Sequence, residues 1–253
     1  VITRPDTPAP WANYLGDPEY GAMISNNAAG YSFVKSGANG RITRFRFNSE
    51  MALPGRYIYI RDNDTADYWS ASWQPVGKPM DKYKSEGRHG TAYTVISSEY
   101  ADIKAETTYY VPNGKTYEVW RTKVTNNSDK PRNLSVYGFI EFTNDNNYEQ
   151  DQVNLQYSQF ITRTYYHDDR IRQLIHGNLD EIEDGKTVDE KIVVERFFGL
   201  CGAKATYYCG DKEKYLGRYH SYGNPVGVEN GKLDVTLSYN GIGCGALATD
   251  ITL

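Results

Sequence analysis

Histidine and cysteine, the commonest soft metal ligands, are scarce in this chain: four and three among 253 residues. His89, His167, His176 and His220 stand apart from one another, and Cys201, Cys209 and Cys244 form no C-x-x-C pair. Neither set has metal-ligand spacing, so no metal site is expected. No GxSxG, HExxH, phosphate loop or EF-hand loop occurs, so no nucleophile-and-base motif is apparent. No apolar run reaches the roughly 18 residues that cross a bilayer as a helix, and no membrane partner is expected. A basic field is missing too. Net charge is −4, with both signs mixed along the chain. Nucleic acid is therefore not expected as a partner, because phosphate binding needs clustered Lys and Arg. The one basic cluster, "RITRFRF" (41–47), sets its arginines among apolar residues as a strand would.

An odd number of widely spaced cysteines fits reduced thiols in a cytoplasmic protein, with a Cys201–Cys209 bridge as the competing reading. Asn126 and Asn133 fit glycosylation triplets short enough to arise by chance. No signal peptide is visible at Val1, and "VITRPDTPAPW" and "ATDITL" both read as cuts through a longer chain. Residues 1–253 are expected to be one domain of a larger protein.

Tyrosine is abundant, at 23 residues. With Phe, Trp, Val, Ile and Thr it recurs in short alternating runs, the pattern of half-buried strands. Strands are predicted at 56–62, 91–96, 103–111, 117–126, 132–143, 195–203, 232–239 and 244–253. "PNGKT" (112–116) reads as a tight hairpin connection, and "NNSDKPR" (126–132) as the link between the next pair. One short helix is predicted after an N-cap Asp in "DKEKYLGRYHSYG" (211–223). "NLDEIEDGKTVDEK" (178–191) reads as an exposed acidic loop. Many short strands at about 10-residue spacing predict an all-β, large two-sheet antiparallel sandwich.

The most unusual segment is "NYEQDQVNLQYSQF" (147–160). It holds four of the chain's six glutamines, interleaved with two asparagines and two tyrosines. Amide groups both donate and accept hydrogen bonds, as sugar hydroxyls do, and tyrosine adds a flat apolar face. The run follows the strand pattern "VYGFIEFT", so it lies at the mouth of a sheet, where binding loops sit. A plainer reading is a turn followed by an alternating strand, with Asn154, Gln156 and Ser158 on one wet face and Val153, Leu155 and Tyr157 on the other. Asp145, Glu149 and Asp151 lie in the same segment. They could pair as acid and base on a glycosidic bond, or simply be solvated loop residues. The "GRHGTAY" segment (87–93) places His89 between glycines. A structural role beside a strand turn competes there with catalysis on a sugar together with a carboxylate.

Eight phrases then occur in order: "TPAPWANYLG" (7–16), "ISNNAAGYSF" (24–33), "GRITRFRFN" (40–48), "GRYIYIRDND" (55–64), "WSASWQPV" (69–76), "RHGTAY" (88–93), "FIEF" (139–142) and "CGDKEKYLGRY" (209–219). Together they resemble the N-terminal part of the cellobiose phosphorylases of glycoside hydrolase family 94, across nearly the whole chain. Laminaribiose, cellodextrin and diacetylchitobiose phosphorylases are relatives in that family. The resemblance implies a β-supersandwich of the galactose-mutarotase-like kind, followed in the family by a helical linker and an (α/α)6 barrel that carries the general acid. No catalytic residue is then expected in this chain. The implied reaction is phosphorolysis with inversion, in which a β-glucoside and phosphate give α-glucose 1-phosphate and a shorter sugar. Inorganic phosphate is the co-substrate, and no cofactor is implied. Phosphate is itself the nucleophile, so the two-carboxylate logic of hydrolysis is not needed.

In the family the sandwich lends a loop to the acceptor sugar, after the strand matching "FIEF". Here that loop is 144–158, and it makes Asn146, Asn154, Gln156 and Tyr157 the candidate substrate-binding residues. Asn154 and Gln156 match the family's Asn and Gln in "NYQR". Leu155 and Tyr157 stand in place of its Tyr and Arg. Losing an arginine fork removes fixed donors to the reducing-end sugar, so the β-1,4 and β-1,3 linkages are both open. The implied partners are a β-linked gluco-oligosaccharide, a C-terminal catalytic domain and a second copy in a homodimer. A non-catalytic carbohydrate-binding module is the reading of a different class.

Overall fold

Aromatic and β-branched residues alternating with polar ones build fifteen strands in this computed structural model, which describes residues 1–46, 53–176 and 192–253. β1 (Ala12–Gly16), β2 (Tyr20–Ser25) and β3 (Gly30–Val34) form one antiparallel sheet. β4 (Tyr57–Asp62) and β5 (Tyr68–Ser70) follow. β6 (Lys84–His89), β7 (Thr94–Tyr100), β8 (Ile103–Tyr110) and β9 (Val119–Asn126) make a four-stranded meander. After β10 (Asn133–Glu141) come α1 (Tyr148–Val153), α2 (Leu155–Ser158) and a 3-10 turn at Gln159–Ile161. β11 (Thr162–His167), β12 (Arg170–His176) and β13 (Ile192–Gly199) form a second three-stranded sheet. β14 (Tyr207–Asp211), α3 (Lys212–Leu216), α4 (Val226–Glu229) and β15 (Gly243–Thr252) complete the chain. The central sheet has the order β14-β15-β10-β4-β5, and every strand pair in the four sheets is antiparallel.

The period-2 pattern explains the layers. Ile58 and Ile60 of β4 and Leu134 of β10 face the four-stranded sheet, packing with Ile103, Ala105 and Tyr83. Tyr57 and Tyr59, one residue out of phase, face the other way with Tyr137 and Phe139. There α3 and α4 cover them through Tyr215, Leu216 and Val228. The β1–β3 sheet closes on the meander through Leu15, Ile24, Ile96 and Tyr109. The β11–β13 sheet closes on β10 and β15 through Ile171, Ile140 and Leu247. Trp120 on β9 packs against three of these clusters at once.

The all-β sandwich expectation holds, and so do the strands over 56–62, 103–111, 117–126, 132–143 and 244–253. The strand expected at 91–96 lies at Thr94–Tyr100. The one expected at 195–203 runs from Ile192 and stops at Gly199. "PNGKT" lies in the hairpin connection of β8 and β9, which is longer than expected: it runs over 111–118 and holds one turn, closed by Lys115 N–H on Pro112 O at 3.1 Å, with Gly114 at φ 68°. "NNSDKPR" links β9 and β10, which belong to different sheets, so it passes between layers instead of closing a hairpin. The strand expected at 232–239 is absent; only isolated bridges at Thr236 and Tyr239 remain. The expected helix at 211 is α3, where Asp211 caps the N–H of Lys214. The acidic run 178–191 lies outside the described residues.

Candidate functional site

β10 ends at Glu141 beside the start of β15 at Gly243, and the chain then enters the amide-rich segment. That segment is helical. Asn147 caps α1 by accepting the N–H of Gln150 at 2.9 Å, and Asp145 accepts the N–H of Asn147 at 2.8 Å. An Asx cap followed by acids in the first turn is a helix-start signal. The alternating-strand reading is therefore overturned. Helical winding separates Asn154 from Gln156, and Ser158 is buried. Val153 at the end of α1, Tyr157 on α2 and Phe160 in the 3-10 turn are 67%, 48% and 68% exposed.

Beneath the loop lies a buried charge network. Arg44 sends Nε and Nη2 to the two oxygens of Asp151, at 2.9 and 2.6 Å, and Nη1 to Glu141 Oε1 at 2.9 Å. Lys212 donates to the same Glu141 oxygen at 2.9 Å, and Tyr222 donates its hydroxyl to Glu141 Oε2. Burial opposes charge on Glu141, but Lys212 and Arg44 outweigh it and hold the carboxyl below the usual range. Asp151 also accepts the backbone N–H of Asn144 at 2.6 Å. With both oxygens committed and no solvent access, Asp151 anchors the loop and is not available as half of an acid–base pair. This network ties the 144–161 segment to the 217–224 loop, because Tyr222 belongs to the latter.

Two further arginines grip the same segment. Arg41 is sandwiched between the rings of Tyr31 and Tyr148, at 3.7 and 4.3 Å, and its backbone N–H reaches Asn146 O at 3.0 Å. Arg196, on β13, donates to Thr143 O at 2.7 Å, Arg41 O at 2.5 Å and Asn146 Oδ1 at 2.5 Å. Burial without a bonded carboxylate lowers the Arg196 pKa to about 10. The basic cluster 41–46 is thus not a strand face: Arg41 and Arg44 turn inward and Arg46 is exposed.

The candidate residues divide accordingly. Asn146 sits half-buried at the base of the loop. Asn154 is exposed between the two helices and donates to Gln150 Oε1. Gln156 and Tyr157 are exposed on α2. Arg44 and Arg196 were missed as site residues. A signal was present: Arg196 shares strand parity with Phe198, a residue packed on the core. His89 has a structural role. Its Nε2 donates to Trp11 O at 3.0 Å and its Nδ1 accepts from the Thr94 hydroxyl at 2.9 Å. All three cysteines are free thiols, Cys201 exposed and Cys209 and Cys244 buried, so the Cys201–Cys209 bridge is not formed. No cluster of three or more His, Cys, Asp or Glu suits a metal ion among the described residues. No helix among them is long and apolar enough to cross a membrane.

A family model described as glycosyl hydrolase 94, supersandwich domain, matches residues 1–253. The N,N'-diacetylchitobiose phosphorylase of Vibrio furnissii is 37% identical over 257 residues, covering all of this chain and 30% of the relative. Its counterpart from Vibrio proteolyticus is also 37% identical, with the same coverage. The solabiose phosphorylase of Paenibacillus borealis is 27% identical over 94% of this chain and 29% of its own length. The chain thus spans about a third of the length of these curated relatives.

Proposed function

This chain belongs to the glycosyl hydrolase 94 supersandwich-domain family, and from that premise we propose that it is the β-sandwich domain of an inverting disaccharide phosphorylase. In the proposed reaction the glycosidic C1–O bond of a β-linked disaccharide breaks and a C1–O bond to inorganic phosphate forms. The leaving oxygen takes a proton from an acid outside these residues. The products are an α-sugar 1-phosphate and a free monosaccharide. The role of this domain is to present the 144–158 rim, with Asn146, Asn154, Gln156 and Tyr157, to the acceptor-side sugar. The observation that carries this reading is the 37% identity over the whole chain to two phosphorylases.

The sequence reading favours a cellobiose-type substrate. Both relatives just cited are named for N,N'-diacetylchitobiose, and that disaccharide takes first place in the test, ahead of cellobiose and laminaribiose. The full-length protein is expected to release a sugar 1-phosphate from one of the three when phosphate is present and not when it is omitted. Release from none of them overturns the proposal. A cytoplasmic homodimer completes the reading, and a monomer mass for the full-length protein in light scattering would remove the dimer.

A further inference from the structure

Among the described residues Arg196 makes no carboxylate hydrogen bond. Its donors go to the backbone oxygens of Arg41, Thr143, Asp145 and Ile42, to the Thr143 hydroxyl, to Gln173 Oε1 and to Asn146 Oδ1. A guanidinium can only donate. The group facing it at 2.5 Å must therefore be the Asn146 oxygen, which fixes the amide with oxygen inward and Nδ2 outward. Among the described residues Nδ2 has no hydrogen-bond partner, and it is not a sealed-off polar atom. An asparagine free to flip offers a sugar either a donor or an acceptor. This one offers donors alone. The backbone on both sides is held as well, by Arg41 N on Asn146 O and by the Asn147 cap.

We propose that Asn146 is a specificity-determining residue of the rim and Arg196 its positioning residue, the pair presenting two N–H donors and no acceptor to an oxygen of the acceptor-side sugar. The fitting ligand is a neutral sugar with a lone-pair oxygen at that point, either a hydroxyl or the carbonyl of an acetamido group. The proposal rests on the phosphorylase reading and adds to it which atom is read and what holds the reader.

The test runs the full-length protein in the synthetic direction, with sugar 1-phosphate as donor and glucose or N-acetylglucosamine as acceptor. Asn146→Asp gives Arg196 a carboxylate, so the loop stays anchored while the outward donors disappear. Its acceptor KM is expected to rise about tenfold, the worth of one hydrogen bond, with the KM for sugar 1-phosphate unchanged and Tm equal or higher. Arg196→Lys cannot span the carbonyls and Asn146 together, and the same selective rise is expected. A rise with N-acetylglucosamine but not glucose assigns the acetamido carbonyl; a rise with glucose assigns a hydroxyl. An active Asn146→Asp enzyme with unchanged acceptor KM overturns the donor pair alone. An Arg196→Lys enzyme that loses Tm but keeps its acceptor KM overturns the positioning role. A wild-type protein that neither turns over nor binds either sugar in calorimetry overturns this proposal and the phosphorylase reading together.

Discussion

Arg44 brings three donor atoms to two carboxylates from residues about 100 positions away in the chain. Such a cation is stabilised only while its partners remain, because an unpaired buried charge has neither water nor counter-charge. Arg44→Met is expected to cost about 3–5 kcal/mol, since it leaves the buried Asp151 without its cation and Glu141 with Lys212 and Tyr222 alone. Thermal or urea denaturation of the variant measures the loss, and a cost under about 1 kcal/mol would show the network to be dispensable. His89 gives a second test at this scale. Burial lowers its pKa against the bond to Trp11, so its contribution is present above the ordinary histidine value of 6.5. It is lost as pH falls through the lowered folded value, because the unfolded chain takes the proton first. Tm should start to decline as pH falls below about 6.5, and His89→Gln should remove this early part of the decline.

Among the elements, the contact between the β11–β13 sheet and the central sheet depends on missing side chains. Phe198 of β13 lies against Gly138 of β10 and Gly245 of β15. A Cβ on Gly245 would come within 2.6 Å of Phe198 Cβ, and one on Gly138 within 2.9 Å of its ring. Gly138→Ala, which meets only the Phe198 ring, is expected to cost about 1–3 kcal/mol through overpacking, and much less in a Phe198→Ala background. A double-mutant cycle in urea reads that coupling, and additive costs would place the strain elsewhere. Element type was legible where side-chain alternation alone decides it, as in β8 and β10. It was misread at 147–160, where polar residues with weak preferences satisfy a strand pattern and a helix pattern alike. The Asn147 cap and the Asp151–Arg44 pair tip the balance, and the second of these joins residues 107 apart. The 232–239 run failed for the related reason that its apolar residues pack without a continuous strand partner. Leu233 goes to the core while Val235 stays exposed.

For the molecule as a whole, acid is the expected weakness. Glu141 is held below its ordinary range by Lys212 and Arg44 against burial. Asp62 is held down, also against burial, by Arg132 and the N–H groups of Asp64 and Thr65. Carboxyls lowered in the fold stabilise it above their unfolded values and cease to do so as pH falls through the folded ones. Beyond the histidine step, Tm should be level to about pH 5 and drop steeply below about pH 4. A flat profile to pH 3 would contradict the charge network's role. The sandwich class and the place of the amide-rich segment, directly after β10, were readable from residue order. The three arginines that hold the rim were not, because their partners come from four separate stretches of chain.

The thiol inventory has a practical consequence. Cys201 alone of the three is accessible, on the stretch between β13 and β14, while Cys209 and Cys244 are shielded within the core. A maleimide fluorophore offered to the native fold would therefore attach at one address without any engineered residue. Unfolding would open the other two, so the stoichiometry of labelling over time reports how often the interior breathes.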